Sequence, residues 1–174
     1  GTTMSRLSIP AVVDAPAASQ PLLAVVHKKL GVVPNLMKLL GQSPAALEGF
    51  LSLSGALDKG VLNAKLRESL ALAVAEFNGC DYCLAAHSYI GKNLVKLTDD
   101  EIAQARDGRA ADARNDAALR FAQRVAAERG RVLDADIAAL RAAGFSDAET
   151  VEIVLHVALN VLTNYVNNVA HTDV

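Results

Sequence analysis

The chain has only two cysteines, three residues apart in the stretch EFNGCDYCLAAHS, and a histidine follows the second cysteine by four residues. In a reducing compartment, a close pair such as Cys80 and Cys83 is more often redox-active or metal-binding than a structural staple. Residues four apart on one helix lie about 6 Å apart along the axis and about 40° apart around it. The side chain of His87 is therefore predicted to reach Cys83, directly or through one water.

The two cysteines are predicted to have different surroundings. Cys80 lies about 10 Å from His87 along the helix axis, so His87 is expected to serve Cys83 and not Cys80. Cys80 is at the start of the predicted helix, where free N–H groups and the helix dipole stabilise a thiolate. Cys83, in the first turn, gains part of the same stabilisation. The pattern predicts two activated thiols with a base beside the second.

The preceding helix offers a partner for His87. A histidine that acts as a base usually needs a group on its second ring nitrogen to orient it. Asn78-Gly79 interrupts the helical pattern, and a hairpin at this turn would bring residues equidistant from it together. Glu68, ten residues before the turn, and His87, eight after it, then match in level within about 3 Å. Glu68 is the candidate orienting carboxylate, and Glu76, near the bend, is a weaker one.

The elements around these residues are predicted to be helices. Ala and Leu are abundant, no alternating strand pattern occurs, and several segments begin with Ser, Thr or Asn and end at Gly. We predict an all-α fold, a bundle of about eight helices, with residues 1–21 as an extended N-terminal arm and residues 22–174 as a single domain. The apolar residues of the helix before the turn predict a buried face formed by Leu66, Leu70, Ala73, Val74 and Phe77.

A polar stripe marks the last predicted helix, which is otherwise apolar on nearly all sides. Four polar residues recur every four positions and three more lie close by: Glu152, His156, Asn160 and Asn164, with Thr163, Asn167 and Asn168. Such a stripe either lies at a helix edge in water, or faces a neighbouring subunit or the cavity of the active site. The sequence leaves these alternatives open, and His156 is interpreted as structural.

Composition and charge exclude some classes of protein. The 174 residues suffice for one domain, and the 52% of hydrophobic residues indicates a well-filled core or a buried subunit interface. With a net charge of −2, a pI of about 6.1 and no basic stripe, we expect no nucleic-acid partner. Neither a signal peptide nor a spanning segment is recognised, so we expect no membrane partner and a cytoplasmic location.

The site residues resemble a known signature. Glu68, eleven further residues, the stretch from Cys80 to Cys83, three more residues and then His87 are similar to the E-x11-C-x-x-C-x3-H pattern of the AhpD-like alkylhydroperoxidases, in the carboxymuconolactone decarboxylase superfamily. The C-terminal stretch LHVALNVLTNYVNNVAHTDV resembles the ending of the peroxidase-related subgroup. Some members carry a second histidine between the cysteines, and in this chain that position is Tyr82. Its phenol could donate a hydrogen bond to a peroxide oxygen, or it could only pack against its neighbours.

The resemblance implies an all-α fold and a homo-oligomer, expected as a dimer, a trimer or a trimer of dimers. It also implies that a thiol pair reduces organic or hydrogen peroxide in an antioxidant role. By position, Cys83 resembles the peroxidatic thiol, Cys80 the resolving thiol, and His87 with Glu68 the proton relay. The partners implied are a peroxide and an unidentified thiol or dithiol reductant. Neither a cofactor nor a metal is expected.

Three alternatives accompany this interpretation. A lactone decarboxylase-type enzyme of the same fold does not, as the family implies, depend on a cysteine pair, so the pair argues against it. A zinc site is disfavoured because cysteine and histidine zinc sites usually bring four strong ligands, and only three lie near. A redox-sensing or disulfide-exchange oligomer differs from a peroxidase only in turnover and partner, and the sequence does not separate the two.

Overall fold

The computed structural model describes residues 4–174, and within this range it contains helices and no strand. The all-α prediction is confirmed, with nine α-helices among residues 4–174 where about eight were expected. The helices are α1 Gln20–Leu30, α2 Asn35–Leu40, α3 Pro44–Asp58, α4 Ala64–Asn78, α5 Asp81–Asn93, α6 Asp99–Arg106, α7 Ala113–Ala127, α8 Asp134–Ala142 and α9 Asp147–Ala170. Within residues 4–174, no helix is both long enough and apolar enough to cross a membrane.

Helix α4 lies at the centre of the fold and packs against α5, α6, α7 and α9. Because neighbours surround it, every side chain from Leu70 to Ala75 is buried, on all sides of the helix. The predicted buried face is confirmed except at its end. Phe77 is 48% exposed, since it lies in the last turn of α4 at a surface groove shared with α7 and α8.

The predicted turn between α4 and α5 is present. Helix α4 starts at the cap Asn63, whose side-chain oxygen accepts from Leu66 N–H, and it ends at Gly79 with φ +65°. A left-handed backbone is easily adopted by glycine, so the chain can reverse here and lay α5 against α4. Cys80 then caps α5, and its sulfur accepts from the N–H of Cys83 at 3.2 Å.

Helix α9 packs against α3, α4, α5 and α7 and so reaches both the hairpin and the opposite side of the core. It begins with a capping box in which Ser146 and Glu149 bond each other's backbone N–H groups. The same device, Thr98 with Glu101, begins α6. Both starts agree with the capping patterns of the sequence.

The N-terminal segment is mostly outside the α-helices. Two short 3₁₀ turns precede α1, at Val12–Asp14 and Ala17–Ser19. Arg6 N–H donates to the carbonyl of Ala170, and the Ser19 hydroxyl donates to the carbonyl of Gly41, both at 2.6 Å. The predicted arm and the domain boundary after residue 21 stay predictions, and residues 1–3 of that arm lie outside the described residues.

Candidate active site

A cavity of about 390 Å³ lies beside the hairpin of α4 and α5. Its walls come from α1 to α5 and α9 and are mainly apolar, with Leu36, Phe50 and Ile90 among the residues that line them. A few polar side chains converge on it, from α4, α5 and α9. A largely apolar cavity with a small polar region is the usual form of a site for a small molecule.

Cys80 and Cys83 are joined by a disulfide. Cys83 is 3% exposed and lines the cavity, whereas Cys80 is fully buried and is not part of its wall. The two sulfurs therefore differ in access. A reagent in the cavity would therefore reach Cys83 and not Cys80. The attacking role of Cys83 and the resolving role of Cys80 stay predictions.

The predicted contact between His87 and Glu68 is confirmed. His87 Nδ1 lies 2.7 Å from Glu68 Oε2, and both side chains are mostly buried, with 23% and 18% exposed. The carboxylate accepts from Nδ1–H, which leaves Nε2 as the nitrogen that can take a proton. The hairpin brings the two side chains to the same level, as their distances from the turn predicted. Their role as a proton relay stays a prediction.

His87 and Cys83 lie on the same cavity wall, as their spacing on α5 predicted. Within the described part of the chain, no direct hydrogen bond joins them while Cys83 is in the disulfide. Glu76, the weaker candidate, does not pair with His87. It forms an ion pair with Arg106 at 3.0 Å near the surface. The carboxylate that orients His87 is thus Glu68.

Asn167, on α9, donates from Nδ2 to the sulfur of Cys83 at 3.3 Å. It is 3% exposed and lines the cavity, and its Oδ1 has no hydrogen-bond partner among residues 4–174. In the sequence, Asn167 stands out only as a neighbour of the polar stripe. The polar stripe is the sequence signal that could have indicated this contact. One of the positions predicted for the stripe was facing the active-site cavity.

The polar stripe of α9 faces inward for most of its length. His156, Asn160 and Asn164 are buried, so a helix edge in water is wrong for them. Asn160 lines the cavity together with Thr163. The predicted alternative of a stripe on the cavity is therefore borne out for part of the stripe.

Two stripe residues lie away from the cavity. Asn164 accepts from the side chain of Asn78 at 3.0 Å and so ties α9 to the end of α4. His156 does not line the cavity, and no described residue forms a hydrogen bond with its Nε2. Burial lowers the pKa of His156 below its ordinary value of 6.5, and the nearby charge of Arg67 lowers it further.

Tyr82 lies between the two cysteines and also lines the cavity. Its phenolic oxygen accepts from Leu36 N–H at 3.0 Å, which ties α5 to the start of α2. Burial raises the pKa of the phenol above its ordinary value of 10.0, although the bond from Leu36 opposes this. The phenol therefore keeps its proton near neutral pH and retains an O–H to donate.

A charged group borders the apolar part of the cavity. Asp58 lies 3.2 Å from Lys29 Nζ and 3.6 Å from Arg67 Nε, and all three residues line the cavity. Arg67 also donates to the carbonyl of Leu62 at 2.6 Å. Across residues 4–174, no three His, Cys, Asp or Glu side chains are grouped so that they could hold a metal ion.

Comparison with known proteins agrees with this architecture. Residues 44–128 match the model of the carboxymuconolactone decarboxylase family, a stretch that includes Glu68, both cysteines and His87. A comparison with curated proteins gave no match.

Several solved structures share the fold. The alkylhydroperoxidase AhpD core of an uncharacterized peroxidase-related protein from Ralstonia eutropha JMP134 is 29% identical with a TM-score of 0.86, over 99% of this chain and 93% of that one. An uncharacterized peroxidase-related protein from Silicibacter sp. TM1040 is 25% identical with a TM-score of 0.85, over 99% and 92%. The apo debrominase Bmp8, 20% identical with a TM-score of 0.77 over 100% and 92%, shares the fold alone.

The helices form an AhpD-like fold, and one of its two disulfide-bonded cysteines, Cys83, lines the cavity. The resemblance to the carboxymuconolactone decarboxylase superfamily, predicted from the signature, is confirmed.

Proposed function

We propose that the protein is a thiol-dependent peroxidase that reduces organic peroxides or hydrogen peroxide, in an antioxidant role. The observation that carries the proposal is the 2.7 Å contact between His87 and Glu68 on the wall that also holds Cys83, whose disulfide partner is Cys80. These groups supply a base, an orienting carboxylate, a nucleophile and a resolving thiol within one site.

The first step is oxidation of Cys83. In the reduced protein, His87 takes the Cys83 proton on Nε2, directly or through one water, while Glu68 holds Nδ1. The thiolate attacks the terminal oxygen of the peroxide ROOH, so that an S–O bond forms and the O–O bond breaks. The leaving RO⁻ takes the proton from His87 and departs as an alcohol, or as water when the peroxide is hydrogen peroxide. Cys83 becomes a sulfenic acid.

The second step restores the disulfide. The Cys80 sulfur attacks the sulfenic sulfur, an S–S bond forms, the S–O bond breaks, and the hydroxyl leaves with the Cys80 proton as water. A dithiol then exchanges with the disulfide, becoming a disulfide itself while Cys80 and Cys83 become thiols again. This requirement for a reductant supports the predicted cytoplasmic location, because thiol pools keep that compartment reducing.

The cavity favours organic peroxides over hydrogen peroxide as substrates. Its volume of about 390 Å³ far exceeds the roughly 30 Å³ that a water molecule occupies in the liquid. Apolar side chains such as Leu36, Met37 and Phe50 line it, and they gain from contact with an alkyl or aryl group. A bulky apolar hydroperoxide should therefore have the lower KM.

Substitution of each cysteine tests the proposal. Consumption of cumene hydroperoxide and of hydrogen peroxide is followed with dithiothreitol as reductant, and bound zinc is assayed on the same samples. We expect Cys83→Ser to lose turnover, while Cys80→Ser still forms one sulfenic acid on Cys83, which dimedone traps. Full activity in Cys83→Ser would show that another group attacks, and stoichiometric zinc would replace the peroxidase by a metal site.

We also propose that the chain forms a homo-oligomer through α9. Apolar residues are exposed along one side of this helix, at a spacing that keeps them within one narrow stripe: Val151, Leu155, Leu162, Tyr165 and Val169. A second copy that covers the stripe would remove this apolar surface from water. Light scattering should then give a multiple of 18.2 kDa, and a monomer at all concentrations would exclude the assembly.

A further inference from the structure

Asn167 donates a hydrogen bond to the Cys83 sulfur from outside the cysteine motif. It is 84 residues from Cys83 in sequence, and its Nδ2 lies 3.3 Å from the Cys83 sulfur. The contact is buried, since both residues are 3% exposed. The roles set out for the proposed peroxidase do not include it.

The donors to the two sulfurs come from different sources. Cys80 accepts from a backbone N–H at the start of α5, at 3.2 Å from Cys83 N. Cys83 accepts from the side-chain amide of Asn167, and His87 has Nδ1 committed to Glu68. The donor to Cys80 therefore persists whatever side chains surround it, whereas the donor to Cys83 depends on one residue.

The charge of the sulfur decides what this contact contributes. A disulfide sulfur is a weak acceptor, but a thiolate carries a full negative charge and accepts an N–H bond strongly. A donor to the charged form favours that form, and low exposure to water strengthens the effect. An amide that already lies against the sulfur in the oxidised protein needs no rearrangement to stabilise the thiolate after reduction.

We propose that Asn167 is a further catalytic residue, which donates its amide N–H to the Cys83 thiolate and so increases the fraction of thiolate at neutral pH. This role rests on the proposed function, because the Cys83 thiolate is the attacking group of the proposed peroxidase. The contact itself is independent of which electrophile the thiolate attacks.

The test measures the thiolate without a peroxide. In a full-length Cys80→Ser background, Cys83 is the only thiol, and its rate of alkylation by iodoacetamide is recorded from pH 5 to 10. The midpoint of this profile is compared among Asn167, Asn167→Ala and Asn167→Asp. Thiolate absorbance at 240 nm gives the same midpoint independently. The matched control is Asn168, the next residue on α9, which is exposed and donates to the Asn78 carbonyl at 2.9 Å instead of to sulfur.

We expect the midpoint to rise by about one pH unit in Asn167→Ala, as for the loss of one hydrogen bond to a charged group. In Asn167→Asp it should rise further, because a carboxylate beside the thiolate repels it. Asn168→Ala and Asn168→Asp should leave the midpoint within about 0.2 units. Asn167→Asp has nearly the shape of the native side chain, so it keeps the test valid if the alanine variant fails to fold.

Two results separate this inference from the proposed function. A shifted midpoint in a protein that does not consume peroxide supports the role of Asn167 and removes the peroxidase. An unshifted midpoint in both Asn167 variants overturns the role of Asn167 even if peroxide turnover is intact.

Discussion

At the scale of single residues, the site depends on one hydrogen bond, which decides which ring nitrogen of His87 carries the proton. Glu68 accepts from His87 Nδ1 at 2.7 Å, and a carboxylate holds that tautomer because it can only accept. Nε2 is then free to take a proton from a thiol.

Removing the carboxylate that orients His87 should slow the chemistry and spare the fold. In Glu68→Gln, we expect kcat/KM for cumene hydroperoxide to fall by about 10- to 100-fold, the low end of what a positioned base contributes. Glu76→Gln is the matched control on the same helix, since Glu76 pairs with Arg106 near the surface. Equal activity of Glu68→Gln and the native protein would show that His87 does not work through Glu68.

At the scale of elements, the site exists because α5 folds back onto α4 at a single left-handed residue. Gly79 has φ +65°, and, apart from its own atoms and those of its two chain neighbours, no atom of the described residues lies within 4 Å of where a Cβ would stand. An alanine at this position would therefore meet backbone strain alone, without a clash.

A pair of glycine substitutions should thus have opposite signs. Gly79→Ala is expected to lower the free energy of unfolding by about 1 kcal/mol, the cost of a left-handed alanine. Gly49, exposed within α3 and also with open space at its Cβ, should gain about 0.5 to 1 kcal/mol on change to alanine. Urea unfolding measures both. A Gly79→Ala protein as stable as the native one would mean that the turn does not require the left-handed conformation.

The helices and the hairpin contact were predictable because they depend on local patterns. Asn63, Asn78-Gly79 and the capping boxes mark helix ends by hydrogen bonds that neighbouring residues make, and Glu68 meets His87 through a short turn of known geometry. Asn167 was not predictable in the same way. Its contact with Cys83 depends on how α9 is rotated and placed against α5, which is decided by packing across the whole core.

At the scale of the whole molecule, α9 carries polar side chains into the core. His156 is 4% exposed, its Nε2 has no partner in the part of the chain that the structure describes, and burial together with Arg67 lowers its pKa. The folded protein therefore binds fewer protons at His156 than the unfolded chain does below about pH 6.5. The contribution of His156 to the free energy of unfolding is present above that pH, and it is lost as the pH falls toward the lowered pKa of His156 in the folded state.

Stability should accordingly decrease with acidification before the carboxylates titrate. Between pH 6.5 and 5, we expect the free energy of unfolding to fall with a slope of at most about 1.4 kcal/mol per pH unit from this histidine. Urea unfolding at several pH values should show a flatter slope for His156→Gln. His27→Gln, at an exposed position of α1, is the control that should keep the native slope. An unchanged slope in His156→Gln would assign the effect to other groups.

The different positions of the two sulfurs have a kinetic consequence for the proposed cycle. A small dithiol that enters the cavity meets Cys83, so the mixed disulfide should form there and Cys80 should depart first as the leaving thiolate. Oxidant and reductant then occupy the same space in alternation. Steady-state rates should follow a ping-pong pattern, and a large excess of either co-substrate should inhibit the enzyme by occupying the form that the other one needs.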